Sequence, residues 1–407
     1  CHEGPKTESI LRERLSRALR RIKRSGSPPR FSDNLGRESS RRGDPMPINI
    51  LGMIGVAPAG QSTVHIIGGG IDREYVERFA RTHEDAGFDA VLVGYSSASA
   101  EGFQVAQFCA QRTKRIRFLV AHRPGFVVPT LAARTAATFD NLTDGRLWLH
   151  IITGGVDAEQ RRDGDFLTHD ERYARTDEYL DVVRKVWTSQ EPFDHEGRFY
   201  RFERAFSEVR CVQEPHVPIW FGGLSEPAIK TGAKHCDTYA LFGEPRAAIA
   251  ESIARIRAEA AKHGRSPRFN MSFRPIIADT ENAAWDRARA ILAGVQNAAG
   301  NRKFTPEAEN AKRLVALVKD GEVHDERLWV PIAAAAGGSG NTTALVGTPD
   351  QVAEAIAKYY DLGVRGVLMR GFDPMGDAEA YGRELIPSIR EKVAARDEAT
   401  TAAATTS

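Results

Sequence analysis

The stretch IRFLVAHRPGFVVPTLAARTAATFDNLTDGRLWLHIITGG, residues 116–155, contains the unit from which the rest of the chain is read. Ile116–Ala121 and Leu147–Ile152 are short, nearly continuous apolar runs, as expected of strands buried on both faces. Thr130–Leu142 between them has helical spacing. A strand, a helix and a second strand in this order point to a parallel sheet covered by helices.

The same alternation extends in both directions. Ile48–Val56 and Ala90–Gly94 precede the unit, and Ile219–Gly222, Thr238–Phe242, Phe269–Ile277 and Gly366–Arg370 follow it as strand candidates. Helical patterns cover Asp72–Ala86, with Tyr75, Phe79 and His83 on one face, and Asp170–Ser189, Glu226–Lys234, Pro245–His263 and Asp350–Leu362. Eight strands with helices between them predict an α/β fold of the TIM (β/α)8 barrel class rather than an open doubly wound sheet. Two stretches exceed the repeat and read as insertions, about 191–214 and 281–348. The first is aromatic and alternating, which suggests β-structure. The second ends in AAAAGGSGNTTALVG, which reads as a mobile segment, either an active-site lid or a surface loop.

Composition bounds the function. The chain has 407 residues, 42% hydrophobic and 27% charged, enough for a large buried core. With mean hydropathy −0.38 and no long apolar run, it offers no candidate membrane helix. Its four cysteines show no CxxC spacing, so neither a zinc ribbon nor a disulfide framework is expected, and a cytoplasmic location fits best. Residues 1–45 hold 12 Lys/Arg against 6 Asp/Glu, a net of +6, which leaves −4 on the remainder of a chain whose total is +2. That body has no basic footprint for nucleic acid. Residues 1–45 read as a disordered basic leader with a short helix possible at Ile10–Ile22, residues 46–393 as the barrel beginning at Met46, and residues 394–407 as a frayed tail.

In a barrel of this class chemistry sits at the C-terminal strand ends. That rule selects Tyr95, His122, Arg123, His150, Thr153, Gly222–Ser225, Gly243, Arg274 and Arg370–Phe372. Thr168 and Glu171 form a capping box, which places His169 and Tyr173 on one face at a positive helix end suited to an anion. The alternative is that both merely pack the helix start. PIWFGGLSEPA, residues 218–228, reads as a strand, a Gly-Gly turn and a helix opened by Ser225 and Pro227, which is a phosphate cradle in principle. IIGGGIDREY, residues 66–75, lacks the third spaced glycine of a dinucleotide fingerprint and reads as a loop. No HExxH, Cys/His cluster or GxSxG is present, so no metal site is expected and a cofactor with its own reactivity is favoured.

Several segments together resemble the bacterial luciferase-like, flavin-dependent monooxygenases, above all the reduced-FMN-dependent alkanesulfonate monooxygenases. They are AGFDAVLVGYSSASAEGFQVA, residues 118–155 within the stretch above, GDFLTHDERYARTDEYLDVVRKVW, PIWFGGLSEPA and TTALVGTPDQVAEAI. The resemblance implies FMN as the flavin, a separate NAD(P)H-dependent FMN reductase as partner, and a homo-dimer or homo-tetramer. Oxygen would add at the flavin C4a carbon, and an alkanesulfonate would yield an aldehyde and sulfite. It implies cofactor-binding roles for His122, His150, Thr153, Glu159, His169, Arg172, Tyr173 and Ser225. On the substrate side the sequence departs from the pattern. Ser99 stands where those enzymes carry Cys, Ser272 and Arg274 where they carry Arg and His, and Phe372 where they carry Tyr, and their mobile-loop Arg has no counterpart. Arg274 and Arg370 are therefore candidates for a rebuilt anion site, and with His122 for catalytic positions. Other sulfur compounds, a nitrogenous substrate or a deazaflavin-dependent reaction remain alternatives.

Overall fold

The computed structural model describes residues 48–300, 306–338 and 340–405. The leader and Met46 lie outside the described residues. The strands in chain order are β1 (Asn49–Ile54), β2 (Ala90–Val93), β3 (Arg117–His122), β4 (Leu147–Ile151), β5 (Phe193–Glu196), β6 (Arg201–Ala205), β7 (Ile219–Gly222), β8 (Thr238–Phe242), β9 (Arg268–Ile277), β10 (Val323–His324), β11 (Leu328–Trp329), β12 (Ala344–Gly347) and β13 (Val364–Met369). Strands β9, β13, β1, β2, β3, β4, β7 and β8 lie side by side in that order, all parallel, and β8 pairs back onto β9. The ring is closed, so the protein is a TIM barrel, and each of the eight expected strands is one of its staves.

Side-chain parity along the strands organises the core. Leu51, Ala90, Leu119, Trp148, Trp220 and Leu368 form one buried cluster, with one residue from each of six barrel strands. These are the inward residues, and the Trp148 and Trp220 rings stack at 5.1 Å within them. Residues of opposite parity, such as Phe118, Val120, Leu149 and Phe221, pack under the surrounding helices. The barrel is thus plugged below and open only above its C-terminal strand ends.

The insertion at 191–214 contains the antiparallel hairpin β5–β6. The second insertion contributes helices Glu281–Ala299 and Glu309–Leu317, and β12, which extends β9 in parallel. Its glycine-rich end is packed rather than loose. Ile332 and Ala333 are buried in the short helix Pro331–Ala335, and Asn341, Thr342 and Thr343 are buried beside β9. The Ala- and Gly-rich composition conceals that Ile332, Ala333, Asn341, Thr342 and Thr343 are packed. The expected frayed tail also needs correction: helix Ile386–Thr405 runs through it. Alanine is the best helix former, and Arg396 pairs with Glu354 at 2.6 Å while the Tyr360 hydroxyl donates to Asp397 at 2.7 Å.

Candidate active site

A cavity of about 990 Å³ opens above the tryptophan plug, at the upper end of the ordinary range for ligand sites. Strand parity decides which candidates reach it. On β4, Trp148 and His150 point inward, and His150 lines the cavity with Thr153 just beyond. On β3, His122 shares the parity of Phe118 and Val120 and faces the helices. Its Nε2 lies 2.6 Å from the Tyr179 hydroxyl, and it does not line the cavity. A catalytic place for His122 therefore does not follow from its position at a strand end.

The helix His169–Thr188 begins as the capping box requires. The Glu171 N–H donates to Thr168 Oγ1 at 3.4 Å, and the Thr168 N–H donates to Glu171 Oε2 at 3.1 Å. This brings His169, Arg172 and Tyr173 to the cavity wall. The His169 and Tyr173 rings are 4.8 Å apart. Arg172 is almost fully buried and is held by the Leu167 carbonyl at 2.6 Å and Asp157 Oδ1 at 2.8 Å. Glu159 stays outside the cavity. It accepts from the Ser97 N–H at 3.0 Å and from Arg123 at 3.2 Å, and Arg123 in turn lines the cavity and stacks over the Tyr95 ring at 4.4 Å.

Beside Tyr173 at the cavity mouth, Gly222, Gly223 and Ser225 lead into helix Glu226–His235. Gly223 has φ +128°, and a Cβ there would come within 2.9 Å of Ala228 and 3.3 Å of the Tyr173 hydroxyl, so only glycine gives this close approach. Ser225 stands at the N-cap but makes no capping bond. Its buried hydroxyl lies beside that of Tyr173 without completing a hydrogen bond of normal geometry. His150 Nδ1 is a second buried atom without a partner. Burial holds the His150 imidazole down to about 4, so it is neutral near pH 7, and burial raises the Tyr173 hydroxyl, which stays protonated. Unmatched polar atoms of this kind, aimed at a cavity beside free helix N–H groups, suit a polar ligand with an anionic end.

The opposite wall comes from β9, β13 and β1. Asn270 and Ser272 face inward on β9, Arg370 follows β13, and Met53 lies next to the last residue of β1. Sequence reasoning missed Asn270, whose buried Oδ1 has no partner, although its parity with Ser272 marks it as inward. Arg274 has the same parity but lies one layer higher and does not line the cavity. It is fully buried, donating to the carbonyls of Asn341 at 3.2 Å, Thr63 at 2.8 Å and Val64. Its guanidinium ties loops together, so the structure does not offer it to a substrate. Among the described residues, Asp177, Asp181 and His235 come within reach of a common cation, but Lys234 Nζ bridges the two carboxylates at 2.8 and 3.0 Å.

Residues 48–366 match the family model described as luciferase-like monooxygenase. The chain belongs to that family. Among solved structures, the riboflavin lyase RcaE, crystallised with modified FMN and substrate riboflavin, is similar with a TM-score of 0.69 at 19% identity, over 85% of this chain and 92% of its own. EDTA monooxygenase (EmoA) from Chelativorans sp. BNC1 matches with a TM-score of 0.68 at 19% identity, covering 85% and 94% of the two chains. DmoA from Hyphomicrobium sulfonivorans matches with a TM-score of 0.68 at 19% identity, covering 86% and 89%. These likenesses establish a shared fold for this luciferase-like monooxygenase family member. No helix among the described residues is long and apolar enough to cross a membrane.

Proposed function

We propose that the protein is a two-component monooxygenase that uses reduced FMN and O2 to oxidise a small organosulfur compound of the alkanesulfonate type. The observation that carries this reading is the Gly222–Ser225 cradle and the unpartnered His150 Nδ1, side by side on the paired strands β7 and β4 along one wall of a deep cavity. A phosphate fits the cradle, where Ser225 Oγ and the N–H groups opening helix Glu226–His235 supply donors. The Tyr173 hydroxyl, kept protonated by burial, adds another donor beside it. His150, Thr153 and Tyr173 would hold the ring system along the wall, and Arg172 stiffens that wall through Asp157 and Leu167.

Bound reduced FMN supplies the two electrons that let one atom of O2 enter the substrate while the other leaves as water. For an alkanesulfonate the balance is one aldehyde, one hydrogen sulfite, one oxidised FMN and one water from the sulfonate, O2 and reduced FMN. The chain's own contribution is binding, orientation and exclusion of water. Residues 306–312 lie over the cavity, with the Glu307 carboxylate accepting from the Asp157 N–H at 3.1 Å. The adjoining helix Glu309–Leu317 is fastened to the barrel by Arg313, which grips the buried Glu244 with Nε at 3.1 and 3.0 Å from its two oxygens. The missing dinucleotide fingerprint supports a separate NAD(P)H-dependent reductase as the source of reduced FMN. Turnover of a panel of sulfonates and sulfones with chemically reduced FMN, read as sulfite and aldehyde released, tests the reading. Reduced FMN consumed without any substrate-derived product across the panel would contradict it.

A further inference from the structure

Arg370 is a half-buried cation that faces the cavity without a counter-charge among the described residues. It lines the inner cavity wall. Its Nη1 faces the Met53 thioether at 3.3 Å, and its Nη2 donates to the Gly340 carbonyl. A thioether is a weak acceptor, and a carbonyl carries no net charge. The neighbouring charged side chain is another guanidinium, Arg274, and the two depress the His65 imidazole after burial does. Asp377, whose carboxylate lies against Gly371, is already committed to Arg287 at 2.5 Å and to the Asp373 N–H at 2.9 Å. Burial lowers the Arg370 guanidinium to about 10, which leaves it charged at neutral pH. A positive charge partly withdrawn from water and left without a carboxylate suits an anion, and arginine's planar fork holds an oxyanion by two bonds.

We infer that Arg370 forms the anion-binding end of the substrate pocket, so that the substrate carries a carboxylate or sulfonate lodged between β13, β1 and β9. This rests on the reading of the cavity as a monooxygenase site. The place fits. In the closed ring β13 stands three strands from β7 in one direction and five in the other, so the anion end lies nearly opposite the Gly222–Ser225 cradle. A substrate fixed there leaves its carbon chain over the apolar floor of Leu92, Leu119 and Leu368. Ser272 is register partner to Leu368 on the neighbouring strand and brings a hydroxyl to the same corner. Arg274 contributes as a positioning residue, since its bonds to Thr63 and Val64 hold the loop that presents His65.

The test uses the full chain without flavin. Fluorescence of Trp220, which lines the cavity floor and stacks on Trp148, is followed during titration with hexanesulfonate, hexanoate and 1-hexanol. The anions should bind roughly tenfold or more tightly than the alcohol, and whichever anion binds better identifies the preferred head group. Arg370→Met should abolish that advantage while leaving hexanol affinity unchanged. Arg370→Lys should restore part of it, because a point charge lacks the fork. The ligand-free Met variant should melt no lower than the parent, since a half-buried charge without a counter-charge has been removed. Equal affinity for hexanol and the anions, or an Arg370→Met variant that keeps anion binding but melts lower, overturns the inference. Reduced FMN titrated into the parent chain reports on the flavin reading separately. If FMN fails to bind while Arg370-dependent anion binding persists, only the flavin reading falls.

Discussion

Arg274 Nη1 donates to the Thr63 carbonyl at 2.8 Å, joining β9 to a loop that precedes the first barrel helix by about ten residues of chain. The same guanidinium reaches Val64 and Asn341 and lies 4.7 Å from the Phe372 ring centroid. It therefore behaves as a tie between three loops. Arg274→Ala should lower folding stability by about 2–4 kcal/mol, because buried carbonyls lose a charged donor. Urea unfolding measures this directly. The FMN affinity of the folded variant should remain close to that of the parent.

Ser225→Ala should weaken FMN binding about tenfold to a hundredfold, the usual worth of one hydrogen bond to a charged group. Riboflavin, which has no phosphate, should lose almost nothing. Parallel titrations of the two flavins with the same variant separate a phosphate contact from a general disturbance of the helix start.

Acid should destabilise the fold before the carboxylates titrate. Burial holds His83, His122 and His150 down to about 4, against an ordinary value of 6.5. The unfolded chain therefore binds more protons than the folded one between those values, and stability falls as pH drops from about 6.5 towards 4. Each imidazole contributes on the order of 3 kcal/mol across that window. Urea midpoints at pH 7.5, 6 and 5 give the slope, and His150→Asn should reduce it by one proton's worth.

Arg313→Ala should loosen the cavity roof without touching the flavin wall. The bidentate contact with buried Glu244 is lost, and a buried carboxylate remains unpaired. The expected outcome is more hydrogen peroxide released per reduced FMN consumed, with FMN affinity unchanged. Peroxide assays alongside product yield measure the change.

Much of this was legible in the sequence. The eight barrel strands announce themselves as short apolar runs between amphipathic helices, and the Thr168–Glu171 capping box by itself places His169 and Tyr173 on one helix face. Position at a strand end was a weaker guide than parity along the strand. His122 and His150 both stand near strand ends, yet only His150 shares the inward phase of its strand's tryptophan. Parity in turn finds Asn270 but cannot separate Ser272 from Arg274, because depth within the barrel depends on loops 63–64 and 341 closing over β9. Those contacts span 67 and 211 residues of sequence, and no local pattern encodes them. The Ala/Thr-rich tail misled for a related reason: its helix is secured by ion pairs from Arg396 to Glu354 and Asp361, far back in the chain.

We propose that the cavity lined by His150 and Ser225 is a reduced-FMN site. Anaerobic titration of the purified chain with reduced FMN, followed by tryptophan fluorescence, tests it most directly. Saturable binding is expected, tighter than that of oxidised FMN and weakened by Ser225→Ala. Absence of saturable binding, or binding of reduced FMN indifferent to Ser225, would contradict it.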